Sequence, residues 1–177
     1  MHAPLNNGFD TAYSGFVSGE SLFDSHAVMR GAAIANTPTT QADFDLISLQ
    51  AGLEHFHGLT DESGIPAVFI PKRVVYSIGN HWLVNQVLKT QALPGSNMND
   101  INQVANEGLV PYLDHYLTDP DAWFIQCDQH DVKYFERRPF TFANSDDFET
   151  GDAKFKGHRR NGSGFGDWRG WYGSSGA

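Results

Sequence analysis

Apolar residues recur at three- and four-residue spacings in the middle of the chain and alternate strictly in its last third. Leu46, Leu49, Leu53 and Phe56 fall on one face of a helix that runs to about residue 57. Thr39 or Thr40 is its predicted cap, with Asp43 three residues after Thr40 in the place where a capping box holds Glu, and Gly58 is the predicted stop. After the turn Asp61-Glu62-Ser63-Gly64, the apolar run Ala67-Val68-Phe69-Ile70 predicts a short buried strand. Pro71 suits a first helical residue, and Val74, Val75, Ile78, Trp82, Leu83 and Val87 predict a second helix that ends at Leu93-Pro94-Gly95.

Residues 1–39, rich in Gly, Ser, Ala, Asn and Thr with scattered aromatics, read as loops and irregular extended segments; 94–108, polar and rich in Asn, reads as an exposed loop. Strands are predicted at 109–117, 122–127, 132–137, 139–143, 153–160 and 165–172. In Tyr134-Phe135-Glu136-Arg137-Arg138, Lys154-Phe155-Lys156-Gly157-His158-Arg159 and Asp167-Trp168-Arg169-Gly170-Trp171-Tyr172, rings and charges alternate at period two, which predicts half-buried strands. Asn161-Gly162-Ser163-Gly164 predicts the hairpin turn joining the last two. Helix, strand and helix in succession describe an α/β layer; with the terminal strands the predicted class is α+β.

Charge changes this picture more than bulk composition does. With 40% hydrophobic and 19% charged residues the chain is of globular type, and 177 residues suffice to hide roughly 70% of the unfolded surface. The net charge of −9 is unevenly spread: residues 1–131 carry 15 acids and 4 bases, a net −11, while 132–177 carry 6 acids and 8 bases, a net +2. An acidic chain is a poor coat for nucleic acid, which demands a basic face. Opposite signs at the two ends suit head-to-side association of identical copies, and a solvated acidic face accounts for them equally. The 13% aromatic content serves cores and subunit contacts alike. One cysteine, Cys127, excludes an internal disulfide. No apolar run approaches the ~20 residues of a membrane-spanning helix, the first residues lack the pattern of a signal peptide, and a soluble chain without membrane partners is expected.

Candidate chemistry is sparse. His55 and His57 are two apart, about 200° around a helix, and cannot share a metal there. Asp128-Gln129-His130-Asp131 has the residue types of a ligand cluster but lies between two predicted strands, where turns collect Asp and His for solvation. The pairs Asp119/Asp121 and Asp146/Asp147 also read as solvated turns, and Cys127, next to Trp123-Phe124-Ile125, as a small buried hydrophobe. Gly162, Gly164, Phe165, Gly166, Arg169 and Gly170, with Arg159 and Arg160 nearby, have the composition of a single-strand nucleic-acid-binding tail. No P-loop, dinucleotide-binding glycine pattern or nucleophile elbow is present. No catalytic residue, metal ligand or cofactor is therefore expected. The two alternatives are a metal-dependent hydrolase using His130 with Asp128 or Asp131, and a nucleic-acid module working through that tail.

An ordered set of short words along the chain resembles the major capsid (head) proteins of tailed bacteriophages, of the Hong Kong 97 type and especially the Mu-like head subunits. These are Gly19-Glu20-Ser21-Leu22-Phe23 followed by His26; Asn36-Thr37; Ile70-Pro71; Asn99-Asp100-Ile101-Asn102; Tyr116-Leu117-Thr118-Asp119 running into Ala122-Trp123-Phe124; Phe135-Glu136-Arg137-Arg138-Pro139; Thr150-Gly151-Asp152; and Asp167-Trp168-Arg169-Gly170. The resemblance implies an irregular segment over 1–39, an axial α/β domain over 40–131, and carboxyl-terminal strands over 132–177 returning to a peripheral domain. It covers the carboxyl-side half of a family member, so that the arm, extended hairpin loop and spine helix would lie upstream of Met1. The implied function is that of a virion structural subunit, assembled in the host bacterial cytoplasm into pentamers and hexamers. These would enclose packaged DNA without sequence-specific binding. The implied partners are copies of itself, with portal, scaffold and decoration proteins.

Overall fold

The computed structural model describes residues 2–16, 19–29, 32–61, 63–92 and 101–177. In chain order the elements are α1 (His2–Asn6), β1 (Ser25–His26), β2 (Ile34–Ala35), α2 (Leu46–His57), β3 (Pro71–Tyr76), α3 (His81–Lys89), β4 (Val110–Leu113), β5 (Trp123–Cys127), β6 (Val132–Asp146), β7 (Ala153–Phe165) and β8 (Trp171–Ser174). Single 3₁₀ turns occupy Ile78–Asn80 and Gln103–Asn106. The mixture of helices and sheets is of the α+β class.

The core is a four-stranded mixed sheet in the order β4-β3-β5-β8. β3 runs parallel to β4, with Val75 opposite Tyr112, and antiparallel to β5, with Val75 opposite Phe124. β8 closes the other side against β5, pairing Tyr172 with Ile125. Every residue of β5 is buried, as its unbroken apolar run demands of a strand covered on both faces. On one face lies α2: its Gly52 approaches so closely that a Cβ there would stand 2.6 Å from Ile125 Cδ1 and 3.0 Å from the Tyr172 ring. On the other face Phe23 stacks on Phe124 at 5.0 Å, and Phe9 lies 6.2 Å from the same ring. The irregular amino-terminal segment is therefore a layer of the core. The strands predicted at 132–177 divide between two places, since β6 and β7 form their own two-stranded sheet while β8 joins the central one.

Several elements differ from the sequence reading. The first helix starts at Leu46 with Asp45 as its cap, where the Ser48 hydroxyl accepts the Asp45 N–H at 2.8 Å. Residues 41–42 are drawn away from the helix by the end of the chain: Ala42 N–H donates to Ser174 Oγ at 3.1 Å, its carbonyl accepts the Trp123 indole at 3.0 Å, and Gln41 Oε1 accepts the Ser175 N–H at 3.0 Å. Leu49, Leu53 and Phe56 are buried as expected, and Gly58 ends the helix with its N–H on Glu54 O.

The strand expected at 67–70 is open chain with Val68 and Ile70 exposed. Asp61 closes a tight loop by accepting the N–H groups of Ser63 and Ile65, and the strand begins only at Pro71. Pro71 thus opens a strand instead of a helix. A proline is tolerated at a first strand position, and Val74-Val75-Tyr76 is β-branched and aromatic, buried to the last residue. The helix is the shorter α3, whose buried positions are Val84, Val87 and Leu88; Trp82, expected on the inner face, is 83% exposed.

The two strands expected at 132–137 and 139–143 are one, β6, with register shifts bracketing Arg138 that accommodate Pro139. The turn expected at 161–164 is strand: Asn161 pairs with Glu136 and Gly162 with Phe135. The hairpin turns instead at 147–152, where Asp147 N–H meets Asp152 O at 2.9 Å and Gly151 takes φ +71°. Glycine serves a different end in β7, giving rings a place to lie: a Cβ at Gly157 would stand 3.3 Å from Phe140, and one at Gly164 3.4 Å from Phe16. Nor are these strands half-buried, for nearly all of β6 and most of β7 are exposed. The 165–172 strand also shortens, since 167–170 turns and only Trp171–Ser174 pairs. Likewise 109–117 contracts to Val110–Leu113, after which the Asp114 carboxylate accepts the Tyr116 N–H. Of the loop at 94–108, residues 94–100 lie outside the described residues.

Candidate interaction surface

Words that are far apart in the sequence meet in one buried latch. The Asn36 side chain is fully buried; its amide donates to Leu22 O at 2.7 Å and to Trp171 O at 3.1 Å, and its carbonyl accepts the Asp24 N–H at 3.0 Å. The backbone joins in, with Asn36 O accepting the Gly173 N–H. Beside it His26 lies flat on Trp168, rings 4.1 Å apart and 7° from parallel, with Nδ1 2.8 Å from Glu20. The Arg169 guanidinium covers Trp168 at 4.7 Å. Segments 19–26, 36 and 167–173 are thus pinned together by groups that each satisfy another segment's backbone or ring.

Two further polar side chains do similar work. Asn102 donates to Val87 O at 2.6 Å and to Thr90 O at 2.9 Å, fastening the end of α3; Asn6 accepts the Thr118 N–H and donates to Tyr116 O. A side-chain amide is suited to such ties because it both donates and accepts, so it can close two backbone groups at once.

The hairpin β6–β7 is the largest exposed element among the described residues. Fifteen residues of extended chain reach roughly 45 Å, far beyond the small central sheet. At its root Phe135 packs edge-on against Phe16 at 5.8 Å, and the Phe16 N–H donates to Phe165 O. One face near the root is polar: Arg159 reaches Glu136 Oε1 at 3.1 Å and the Tyr134 hydroxyl at 2.6 Å, which also accepts from Asn161. Farther out, Phe142 and Phe155 stack at 5.9 Å while remaining 64% and 67% exposed, with Phe140 over Gly157 alongside and Phe148 bare at the tip. The opposite outer face carries Thr141, Lys154, Lys156 and His158, the threonine hydroxyl meeting His158 Nε2 at 3.1 Å. One side of the outer hairpin is therefore aromatic and the other basic and polar.

The residues weighed for chemistry lie apart. Asp128, Gln129, His130 and Asp131 form the turn from β5 to β6, as read from the sequence. Asp131 is ion-paired with Lys133, and His130 meets Trp171 edge-on at 5.8 Å. Burial lowers the His130 pKa, as does Arg73 nearby, against the opposing pull of Asp131 and Asp128. Asp119 accepts the Asp121 N–H at 3.1 Å, and Asp147 accepts the Glu149 N–H at 3.2 Å while pairing with Lys154, which holds its carboxyl below the usual range. Asp119 and Asp147 shape turns, while Asp146, read from the sequence as part of a turn, ends β6 opposite Ala153. Among the described residues no group of three or more His, Cys, Asp or Glu is placed to hold a metal ion. His55 and His57 stand on α2, His55 against Tyr172 at 5.1 Å, and burial pushes its pKa down to about 4. Cys127 is buried, its thiol pushed up to about 12 by that burial and by neighbouring Asp128. The Gly/Arg/aromatic tail is not one unit: Gly162 and Gly164 belong to β7, while Gly170 is packed under His130, where a Cβ would come within 2.6 Å of the His130 Cα. No described helix is long and apolar enough to cross a membrane.

What the sequence reading missed is the union of its own words. His26, Asn36 and Trp168 stood out singly, but a latch spanning 132 residues leaves no periodic trace, and a lone buried Asn is the only local sign.

No family model, curated protein or solved structure gives a match to the chain.

Proposed function

We propose that this chain is a structural subunit of a phage-type icosahedral capsid, which works by associating with copies of itself into rings and a shell and carries out no reaction. The observation that carries the reading is the β6–β7 hairpin, which presents a bare aromatic face well away from any core of its own. Four phenylalanine side chains, Phe148 fully exposed and Phe140, Phe142 and Phe155 about two-thirds exposed, together offer roughly 600 Å² of apolar surface at about 200 Å² for a whole side chain. That is the upper end of what a monomer leaves in water, and such patches mark contact sites. The resemblance of the latch words to capsid subunits supports the same reading, because in this fold those words serve as ties between segments. The acidic body suits a container that does not grip DNA, and the net −11 of residues 1–131 against the net +2 of 132–177 favours unlike surfaces meeting. On this reading the chain resides in the virion and packaged DNA is enclosed without sequence readout.

Sedimentation velocity over a hundredfold range of concentration tests it. The expected result is a shift from 19.6 kDa monomers to five- and six-subunit species; saturable, substrate-specific turnover by a monomer that never associates would overturn it.

A further inference from the structure

Where β3 and β4 begin and β5 ends, the central sheet holds a polar pocket of about 440 Å³. Residues 1–131 carry only four bases, and two of them, Lys72 and Arg73, line it. Neighbours along a regular strand point to opposite faces. Here the register shifts between Pro71 and Arg73, leaving Lys72 without a partner on β5, and a bulge of this kind re-aims a side chain. The irregularity thus brings both cations to one pocket of an otherwise acidic body. Neither is ion-paired among the described residues.

Arg73 stands in register with Val110 on one side and Gln126 on the other, so the three line the pocket from one face of the sheet. Gln126 is 4% exposed, and its Nε2 has no hydrogen-bond partner among the described residues. His130, carried in by the turn after β5, has its Nδ1 buried in the same state. Burial and the nearby Arg73 lower the His130 pKa, so at neutral pH the ring is uncharged and one nitrogen carries a proton to donate. Buried polar groups nearly always find a partner. Two unsatisfied nitrogens beside two unpaired cations are the complement of an oxyanion. Asp128 also lines the pocket and opposes an anion there, but the lining stays net positive.

We propose that this pocket binds a small oxyanion, the carboxylate or phosphate group of a soluble molecule, with Arg73 and Lys72 supplying charge and Gln126 and His130 supplying neutral donors. The flat guanidinium of an arginine can meet two oxygens of one such group. The terminal torsion of a glutamine is soft, so the Gln126 amide turns Nε2 to the ligand while its strand stays in place. The volume is within the range of small-molecule sites. Nothing in the site depends on the hairpin, and it stands whether or not copies of the chain associate.

Isothermal titration calorimetry of the full chain tests it, with succinate and inorganic phosphate as probes and sodium chloride at matched ionic strength as the control. Saturable one-to-one binding of at least one probe is expected, and the tighter probe tells carboxylate from phosphate. Arg73→Gln should weaken it about tenfold, as the loss of a charge-assisted hydrogen bond does. Lys156→Gln makes the same charge change on the outer hairpin and should leave binding unaltered, since screening confines such effects to about 10 Å. Gln126→Leu exchanges a buried unsatisfied amide for an apolar side chain of similar size, so binding should fall while the thermal midpoint holds or rises. Asp128→Asn should tighten binding severalfold by removing the opposing carboxylate.

Failure of both probes to saturate the unmodified chain overturns the proposal. So does binding that Arg73→Gln and Gln126→Leu leave within twofold, or that Asp128→Asn weakens. Arg73-dependent binding of single-stranded DNA that neither probe displaces assigns the cations to a nucleic-acid backbone and also overturns it. Circular dichroism establishes that each variant is folded; if Gln126→Leu is not, the exposed Arg73 and Asp128 positions decide alone.

Discussion

Replacing Asn36 by Ala should remove the tie that holds the two ends of the described chain together. The amide nitrogen donates at 2.7 Å to Leu22 O and at 3.1 Å to Trp171 O, and the oxygen accepts from Asp24 N–H at 3.0 Å. Each net hydrogen bond contributes about 1 kcal/mol, and a buried partner left without one costs about 1–3 kcal/mol. Each stranded carbonyl keeps a second lone pair, and the small void can admit water, so the sum belongs near the low end: about 3–4 kcal/mol. That is a large share of the 5–15 kcal/mol of a typical domain. Urea unfolding followed by tryptophan fluorescence reads the loss directly, because Trp168 and Trp171 flank the site. With a slope of about 1–3 kcal/mol/M, the midpoint should fall by roughly 1–4 M. Asn36→Asp sharpens the test. An aspartate keeps the shape and can still accept from Asp24 N–H, yet it cannot donate to either carbonyl and buries a charge. It should destabilise at least as much as Ala. A midpoint shift under about 0.5 M for Ala, or a clearly milder effect for Asp, would refute the assignment of Asn36 as a donor latch.

Three further outcomes follow from the packing. His55, with a folded pKa of about 4 against 6.5 unfolded, is protonated more readily when unfolded; its contribution is complete above pH 6.5 and lost as pH falls towards 4, the loss reaching about 2 kcal/mol by pH 5. His55→Gln should flatten that part of the stability–pH curve measured by urea titration, and an unchanged slope would contradict the shift. Gly52→Val should destabilise by about 2–3 kcal/mol through overpacking against Ile125 and Tyr172, read as a lower thermal midpoint; an unchanged or raised midpoint would mean that α2 stands farther from the sheet. Cys127, buried with its thiol pushed up to about 12, should be alkylated by iodoacetamide at pH 8 only as fast as the chain opens, so that added urea accelerates the reaction, and rapid labelling of the native chain would place the thiol at the surface.

Much of the central sheet was legible because its residues obey local rules. The 122–127 run is continuously apolar and is a buried strand; Leu49, Leu53 and Phe56 keep helical spacing and face the core. Failures occurred where distant chain decided local form. The first helix is shortened because Gln41 and Ala42 are bound to Ser174 and Ser175, more than 130 residues away. Pro71 reads equally as a helix start or a strand start, and only the burial of Val74-Val75-Tyr76 between two neighbouring strands decides. Asn161-Gly162 has the composition of a turn but lies in register opposite Glu136 and Phe135, so cross-strand pairing overrides the local signal. Period-two alternation correctly indicated strands in 132–165, but alternation says only that two faces differ. In this hairpin the aromatic face is left open, and nothing in the sequence distinguishes a face turned to the chain's own core from one turned outward.

Assembly through that outward face is open to direct inspection by negative-stain electron microscopy of the purified chain at high protein concentration. Class averages should resolve rings of five and six copies, and these rings should vanish in the Phe142→Ser, Phe155→Ser variant. A field of isolated 19.6-kDa particles at every concentration, or rings that persist undiminished in that variant, would rule out assembly through the hairpin.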